Sequence, residues 1–187
     1  MALITSRVSE WSYEDRNTCQ EIVSRVWLGP HSVGRVTDML ETEIGVTDIV
    51  YVRSRGSSRE KDLLQPRSLS SSRSHVVELN DDEVSSCQRI FSLFVDLLNT
   101  ILKESERNTV LVLGLTAMNR SASLMAAFLI RTHGMNTFQA TQYLMTRRRC
   151  IAISPSMRRQ LVEFEIAPTS TPTVGVTVRA KRQLTDP

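Results

Sequence analysis

A chain of 187 residues is long enough for one domain with its own hydrophobic core and too short for two comfortable ones. With 41% apolar and 23% charged residues it has the composition of a soluble globular protein, and no apolar run approaches the ~20 residues of a membrane helix. The net charge of +3 is unevenly spread, with basic islands at Arg53–Ser74, Arg147–Arg159 and the last twenty residues. Such islands suit phosphorylated partners, nucleic acid or import receptors, or form a solvated arginine-rich surface.

In chain order, Val26–Leu28 followed by Gly29 and Pro30 reads as a short strand stopped by a turn. Val36, Met39, Leu40 and Ile44 recur at helical spacing, with Gly45 as a natural stop. Thr47–Val52 is β-branched and apolar, a buried strand. Arg53–Ser74 holds eight serines and five arginines with no apolar period, and is expected to be a long mobile loop. Val76–Leu79 reads as a further strand, and Ile90, Phe91, Phe94, Leu97, Leu98 and Ile101 as the apolar stripe of a helix. Thr109–Leu113 carries the clearest strand signal of the chain. A helix follows from Ser121 to Arg131, with Gly134 at its end. Asn136 with Gln139 three positions on forms a capping box for the next helix. Ser154 and Pro155 supply N-cap and first position of a last helix through Glu165.

The order of elements predicts a single α/β domain over residues 10–166, a mixed central sheet covered by helices. Residues 1–9 are expected to be flexible and 167–187 a disordered tail. Cys19, Cys87 and Cys150 make an odd count without metal-ligand spacing, which points to a reducing compartment and to no metal site. Met1–Arg16 lacks the apolar core of a secretory signal, so the expectation is a cytoplasmic or nuclear protein.

The informative stretch is Val110–Leu124, where a buried strand runs into a short loop that opens a helix at Arg120–Ser121. This layout aims unpaired backbone N–H groups and the positive end of a helix dipole at one spot, an anion site. Arg120 at the loop's end would grip two phosphate oxygens with its planar fork. A strand–turn–helix whose arginine merely points to solvent would leave the same pattern. An arginine at a loop–helix junction is not expected to belong to the core.

The stretch from Leu113 to Ser121 resembles the signature of cysteine-dependent phosphatases: His-Cys, five residues, then Arg-Ser or Arg-Thr. Downstream, Met135-Asn136-Thr137, Ala140, Arg147-Arg148, Ile151, Gln160-Leu161 and Glu165 resemble the helical half of dual-specificity protein phosphatases. Upstream, Glu10-Trp11-Ser12-Tyr13 and Gln20-Glu21-Ile22 through Leu28-Gly29-Pro30-His31-Ser32 are similar to the STYX-type pseudophosphatase branch, which also has glycine in place of the cysteine. The resemblance covers Glu10 to Glu165, with Arg53–Ser74 the least matched part.

The resemblance implies that Gly114 stands at the nucleophile position and Leu113 at that of the histidine that orients the loop. Asp81 stands at the general-acid position, though Asn80-Asp81-Asp82 also reads as a polar turn. It further implies a phosphate loop formed by Gly114, Leu115, Thr116, Ala117, Met118, Asn119, Arg120 and Ser121. Ala117 stands where the family has a glycine, and would be strained if the site needs a positive φ. Arg147-Arg148-Arg149 with Arg158-Arg159 would flank a phosphopeptide groove or form a solvated basic helix end; Arg147 and Arg148 match family positions, whereas Arg158 and Arg159 do not.

These features imply a catalytically inactive phosphatase-like binding module, without cofactor, for phosphorylated proteins. The resemblance suggests signalling kinases and ubiquitin-ligase adaptors as partner types. A scaffold with a vestigial pocket is the alternative, and a weak phosphatase ranks below both. With 5% aromatics and no stacking motif, nucleic acid ranks low as a partner.

Overall fold

Val110–Gly114 is buried along its whole length, and its side chains alternate between two hydrophobic layers. Val110 and Val112 join a core with Phe91, Phe94, Leu98, Phe128 and Phe164. Leu111 and Leu113 join a second with Leu40, Val46, Ile49, Tyr51 and Leu64. A strand apolar on both faces needs cover on both, and this one lies at the centre of the sheet.

The computed structural model describes residues 13–33, 40, 42–64, 72–80 and 84–167. The strands are β1 (Gln20–Val23), β2 (Val26–Pro30), β3 (Asp48–Arg53), β4 (Arg73–Glu78) and β5 (Val110–Gly114), in the sheet order β1-β2-β5-β3-β4. β1 and β2 form an antiparallel hairpin, whereas β2, β5, β3 and β4 run parallel. The helices are α1 (Tyr13–Asn17), α2 (Ser58–Leu63), α3 (Val84–Glu104), α4 (Arg120–His133), α5 (Thr137–Arg147) and α6 (Pro155–Ile166). Residues of α3, α4, α5 and α6 pack together in the larger core.

Local signals held where the chain punctuates itself. The Asn136 side chain accepts from Gln139 N at 2.8 Å, and Gln139 Oε1 accepts from Asn136 N at 3.0 Å, closing the capping box. Ser154 caps α6, and Gly134 ends α4 in the left-handed conformation at φ 66°.

Three expectations need correction. β2 does not stop at Leu28 but runs through Pro30, a last position where proline's missing N–H is tolerated. Gly29 is needed there for space: a Cβ at this position would lie 2.7 Å from Cys19 Cβ. The short edge strand β1 was not expected, because only Ile22 in it is fully buried. The stretch Arg53–Ser74 is not without regular structure: it contains α2, and β4 begins at Arg73. Val36 and Met39 of the expected helix, residues 65–71, the first residues and the tail beyond residue 167 lie outside the described residues.

The parallel strands deliver the ends of β2, β5 and β3 to one edge, with Gly114 opposite Pro30 and Val52. In open α/β sheets this carboxyl edge is where ligands bind. At the other edge Asp48, fully buried, is bonded by Arg73, His75 and Thr47.

Candidate phosphate-binding loop

Five residues, Leu115–Asn119, connect β5 to α4, and what fixes them is their carbonyls. Leu115 O accepts from His31 Nδ1 at 2.9 Å, and Thr116 O and Ala117 O from Arg148 Nη2 and Nε at 3.1 and 3.3 Å. Met118 O accepts from Ala152 N at 2.9 Å and Asn119 O from Ser123 N at 2.8 Å. Each carbonyl is thus engaged, and the loop amides take no part in these bonds. Those of Leu115 to Met118 donate to no group among the described residues. The Asn119 side chain, whose Oδ1 accepts from Ser154 N at 2.9 Å, ties the loop to the start of α6. Such a row of backbone N–H groups at the start of a 14-residue helix is an anion-binding geometry.

Gly114 closes the bottom of this loop. A Cβ there would overlap Ser121 Oγ, and would stand 3.1 Å from Ser121 Cβ and 3.4 Å from Ala117 N. The buried Ser121 hydroxyl therefore fills the space that a side chain at position 114 would enter. Ala117 sits at φ 54°, so the positive φ on which its strain depended is present. Its methyl is buried in the core beneath the loop. Leu113 is packed into the opposite layer with Tyr51, its register neighbour on β3.

Arg120, the first residue of α4, faces a carboxylate that sequence reasoning missed. Its Nη1 and Nη2 donate to Glu60 Oε2 and Oε1 at 2.7 and 2.8 Å, a bidentate pair of the kind the arginine fork favours. Glu60 is buried and also accepts from Ser54 N at 2.6 Å. The Arg120 hydrogen bonds, opposed by burial and aided by the Ser54 amide, hold the Glu60 carboxyl below its usual range. Arg120 is thus an anion-gripping arginine matched, in this structure, by an anion from its own chain. A signal existed in the sequence. Ser57-x-x-Glu60 is a capping pattern, and the Ser57 side chain does cap α2 at Glu60 N.

Arg148 corrects a second expectation. It is no solvated helix end, since only 1% of it is exposed and it is the largest fully buried side chain described. Its guanidinium donates to the carbonyls of Asp15, Arg16, Thr18, Thr116 and Ala117 and to Gln20 Oε1. Five N–H groups on a rigid plane are shared among these six acceptors, three of them at Nη1, and no ammonium could serve them all. Arg148 joins the N-terminal segment to the back of the loop. Its neighbours Cys19 and Cys150 have thiol pKa values raised by burial, against the pull of the Arg148 charge. Arg147 instead stacks on Tyr143, 5.4 Å from the ring centroid. Asp81 and Asp82 lie outside the described residues.

The whole constellation, from β5 through the loop to α6, falls within residues 33–167, the span matched by the family described as the dual specificity phosphatase catalytic domain. The chain belongs to the dual specificity phosphatase family. Among curated proteins it is similar to the human serine/threonine/tyrosine-interacting protein, 29% identical over 157 residues, which is 83% of this chain and 68% of that one. The Xenopus laevis serine/threonine/tyrosine-interacting protein A is 26% identical over 166 residues, covering 88% and 72% of the two chains. Among solved structures, the human tyrosine phosphatase-like serine/threonine/tyrosine-interacting protein superposes with a TM-score of 0.70 at 27% identity, over 80% of this chain and 96% of that chain. Human DUSP28, with a TM-score of 0.64 at 19% identity over 79% and 92%, shares the fold. The α/β architecture of the dual specificity phosphatases is therefore that of this chain, and the STYX-type proteins are among its relatives.

Proposed function

We propose that this chain is a catalytically inactive, phosphatase-like binding module that recognises phosphorylated signalling proteins and shields, anchors or competes for them. The observation that carries the reading is Gly114. In a cysteine-dependent phosphatase a thiolate at this position attacks phosphorus and carries the phosphoryl group to water. Gly114 has no atom to form that bond, and Ser121 fills the space around it. The three cysteines do not replace it. Cys87 and Cys150 are buried, bonded to the carbonyls of Asn80 and Asp15, and burial raises the Cys19 thiol pKa away from thiolate formation.

What remains is a cradle suited to binding. Losing a thiolate removes a negative charge that would repel a phosphate dianion. The loop amides, the α4 N-terminus and Arg120 supply donors, and the curated relatives carry the name of serine/threonine/tyrosine-interacting proteins. The second reading, a scaffold with a vestigial pocket, is favoured by one observation: Glu60 already engages the Arg120 fork.

Calorimetric titration with matched phosphorylated and unphosphorylated peptides separates the two. The binding-module reading expects a preference for the phosphorylated form that Arg120→Ala weakens at least about tenfold, with poor rescue by Arg120→Lys. Equal binding of both forms, indifferent to Arg120, would establish the scaffold instead. Neither aryl phosphates nor phosphopeptides are expected to turn over. Hydrolysis that Arg120→Ala abolishes would overturn the inactive reading.

A further inference from the structure

Beside the loop opens a cleft of about 530 Å³ whose lining includes Leu115 and Thr116 of the loop together with Arg16, His31 and Arg59. Among the described residues its lining contains two arginines and a histidine and no carboxylate. Arg16 and Arg59 are exposed, and neither has an ion-pair partner among the described residues. The contrast with Arg120, Arg73 and Arg53 is direct, since each of those is matched by a carboxylate. The placement follows from the fold. Arg16 lies in the last turn of α1, which Arg148 ties to the loop through the carbonyls of Asp15 and Arg16. Arg59 precedes Glu60 on α2, so this short helix gives Glu60 to Arg120 and the residue before it to the cleft. His31 is held against the loop by its bond to Leu115 O.

We propose that this cleft is a second anion-recognising subsite, which takes acidic side chains flanking the phosphorylated residue of a peptide, with Arg16 and Arg59 reading their charge. The proposal deepens the binding-module reading and rests on it for the position of the phosphate. A cationic surface with no counter-charge among the described residues of its lining, beside an anion-binding loop, is complementary to a ligand whose negative charge extends past the phosphate. The walls favour a peptide over an inositol phosphate headgroup. Pro30, Leu63 and Leu115 line the same cleft, and apolar contact of that kind suits the stems of Asp or Glu residues and of a side chain between them.

The test uses fluorescence anisotropy with three labelled peptides: phosphorylated with Asp/Glu flanks, phosphorylated with Asn/Gln flanks, and unphosphorylated with Asp/Glu flanks. Each is titrated with wild type, Arg120→Ala and the double variant Arg16→Ala/Arg59→Ala, whose melting temperature should match wild type because both side chains are exposed. The expected result is binding of the acidic phosphopeptide about tenfold or more tighter than its neutral-flank counterpart at low salt. That advantage should vanish in the double variant and shrink as salt rises. Equal affinity of the two phosphopeptides, or an advantage that survives the double variant, overturns the subsite while leaving the phosphate site standing if Arg120→Ala still weakens both. Binding of the acidic peptide through Arg16 and Arg59 regardless of phosphorylation keeps the subsite and removes the phosphate reading. Inositol hexakisphosphate binding that depends on Arg16 and Arg59, without any effect of the peptide flanks, assigns the cleft to another ligand and overturns the proposal. Absence of binding in every arm overturns both readings.

Discussion

Glycine and alanine stand the wrong way round for a catalytic loop. Gly114 has no positive φ that would call for glycine, and what the site exploits is its lack of a side chain beneath Ser121. Ala117 occupies φ 54°, where glycine would be at ease and alanine is strained by about 1 kcal/mol. Gly114→Cys alone should therefore give little activity toward aryl phosphates, because the new side chain must displace the Ser121 hydroxyl and no histidine tunes the thiol. Adding Leu113→His and Ala117→Gly should raise the rate measurably in the same assay. Robust turnover from the single substitution would show that Ser121 yields easily. The Arg120–Glu60 pair changes another expectation, that Arg120 lies outside the stabilising contacts. Arg120→Ala should cost about 1–3 kcal/mol in urea denaturation, since it strands a buried carboxylate. Arg120→Ala/Glu60→Gln should recover part of that loss. Glu60→Gln alone should tighten phosphopeptide binding if Glu60 competes with phosphate for the fork, and weaken it if Glu60 orients the fork.

At the scale of elements, the loop is held from outside by pieces far apart in sequence. Arg148 follows α5, and its buried fork binds both the N-terminal segment and the carbonyls of Thr116 and Ala117. Arg148→Ala should leave several buried acceptors unsatisfied and cost about 3 kcal/mol or more in denaturant midpoint measurements. Arg148→Lys should rescue little, because an ammonium has three donors and no fixed plane. Both variants should also weaken phosphopeptide binding without touching the ligand, since they release the carbonyls that hold the loop amides in place. The Asn136 capping box is local by contrast. Asn136→Ala should lower stability by about 1 kcal/mol and leave binding unchanged.

At the scale of the whole molecule, two carboxylates, the buried ones among the described residues, contribute to the response to acid. Burial alone would raise the Asp48 carboxyl pKa, but bonds from His75, Arg73 and Thr47 hold it below its usual value. Glu60 is held down by Arg120. For groups whose folded pKa is depressed, the stabilisation is fully present above the unfolded value, near pH 4 for carboxylates, and is lost as pH falls through the folded value. Stability measured by urea titration should be insensitive to these groups above about pH 5 and fall steeply below about pH 4. The slope below pH 4 should lessen in Asp48→Asn. An unchanged slope would show that Asp48 does not contribute to the acid response.

The parts of this protein legible in sequence are those fixed by neighbours along the chain. β5, the capping box of α5, the Ser154–Pro155 start of α6 and the turn from strand to helix at Arg120 each rest on residues within a few positions of one another. The missing side chain at Gly114 came from the same short window, whereas the family it was read against rested on motifs spread from Glu10 to Glu165. Tertiary structure alone decided the rest. The Ser/Arg-rich stretch has no apolar period, and Ser57-x-x-Glu60 marks only the start of α2; the burial of Glu60 becomes visible only when Arg120, sixty positions away, closes the pair. A sequence reads Arg148 as charge and therefore as surface; a fold that gathers five carbonyls around it makes burial favourable. Pattern follows local geometry, whereas the pairing of a buried charge depends on partners that only the folded chain brings together.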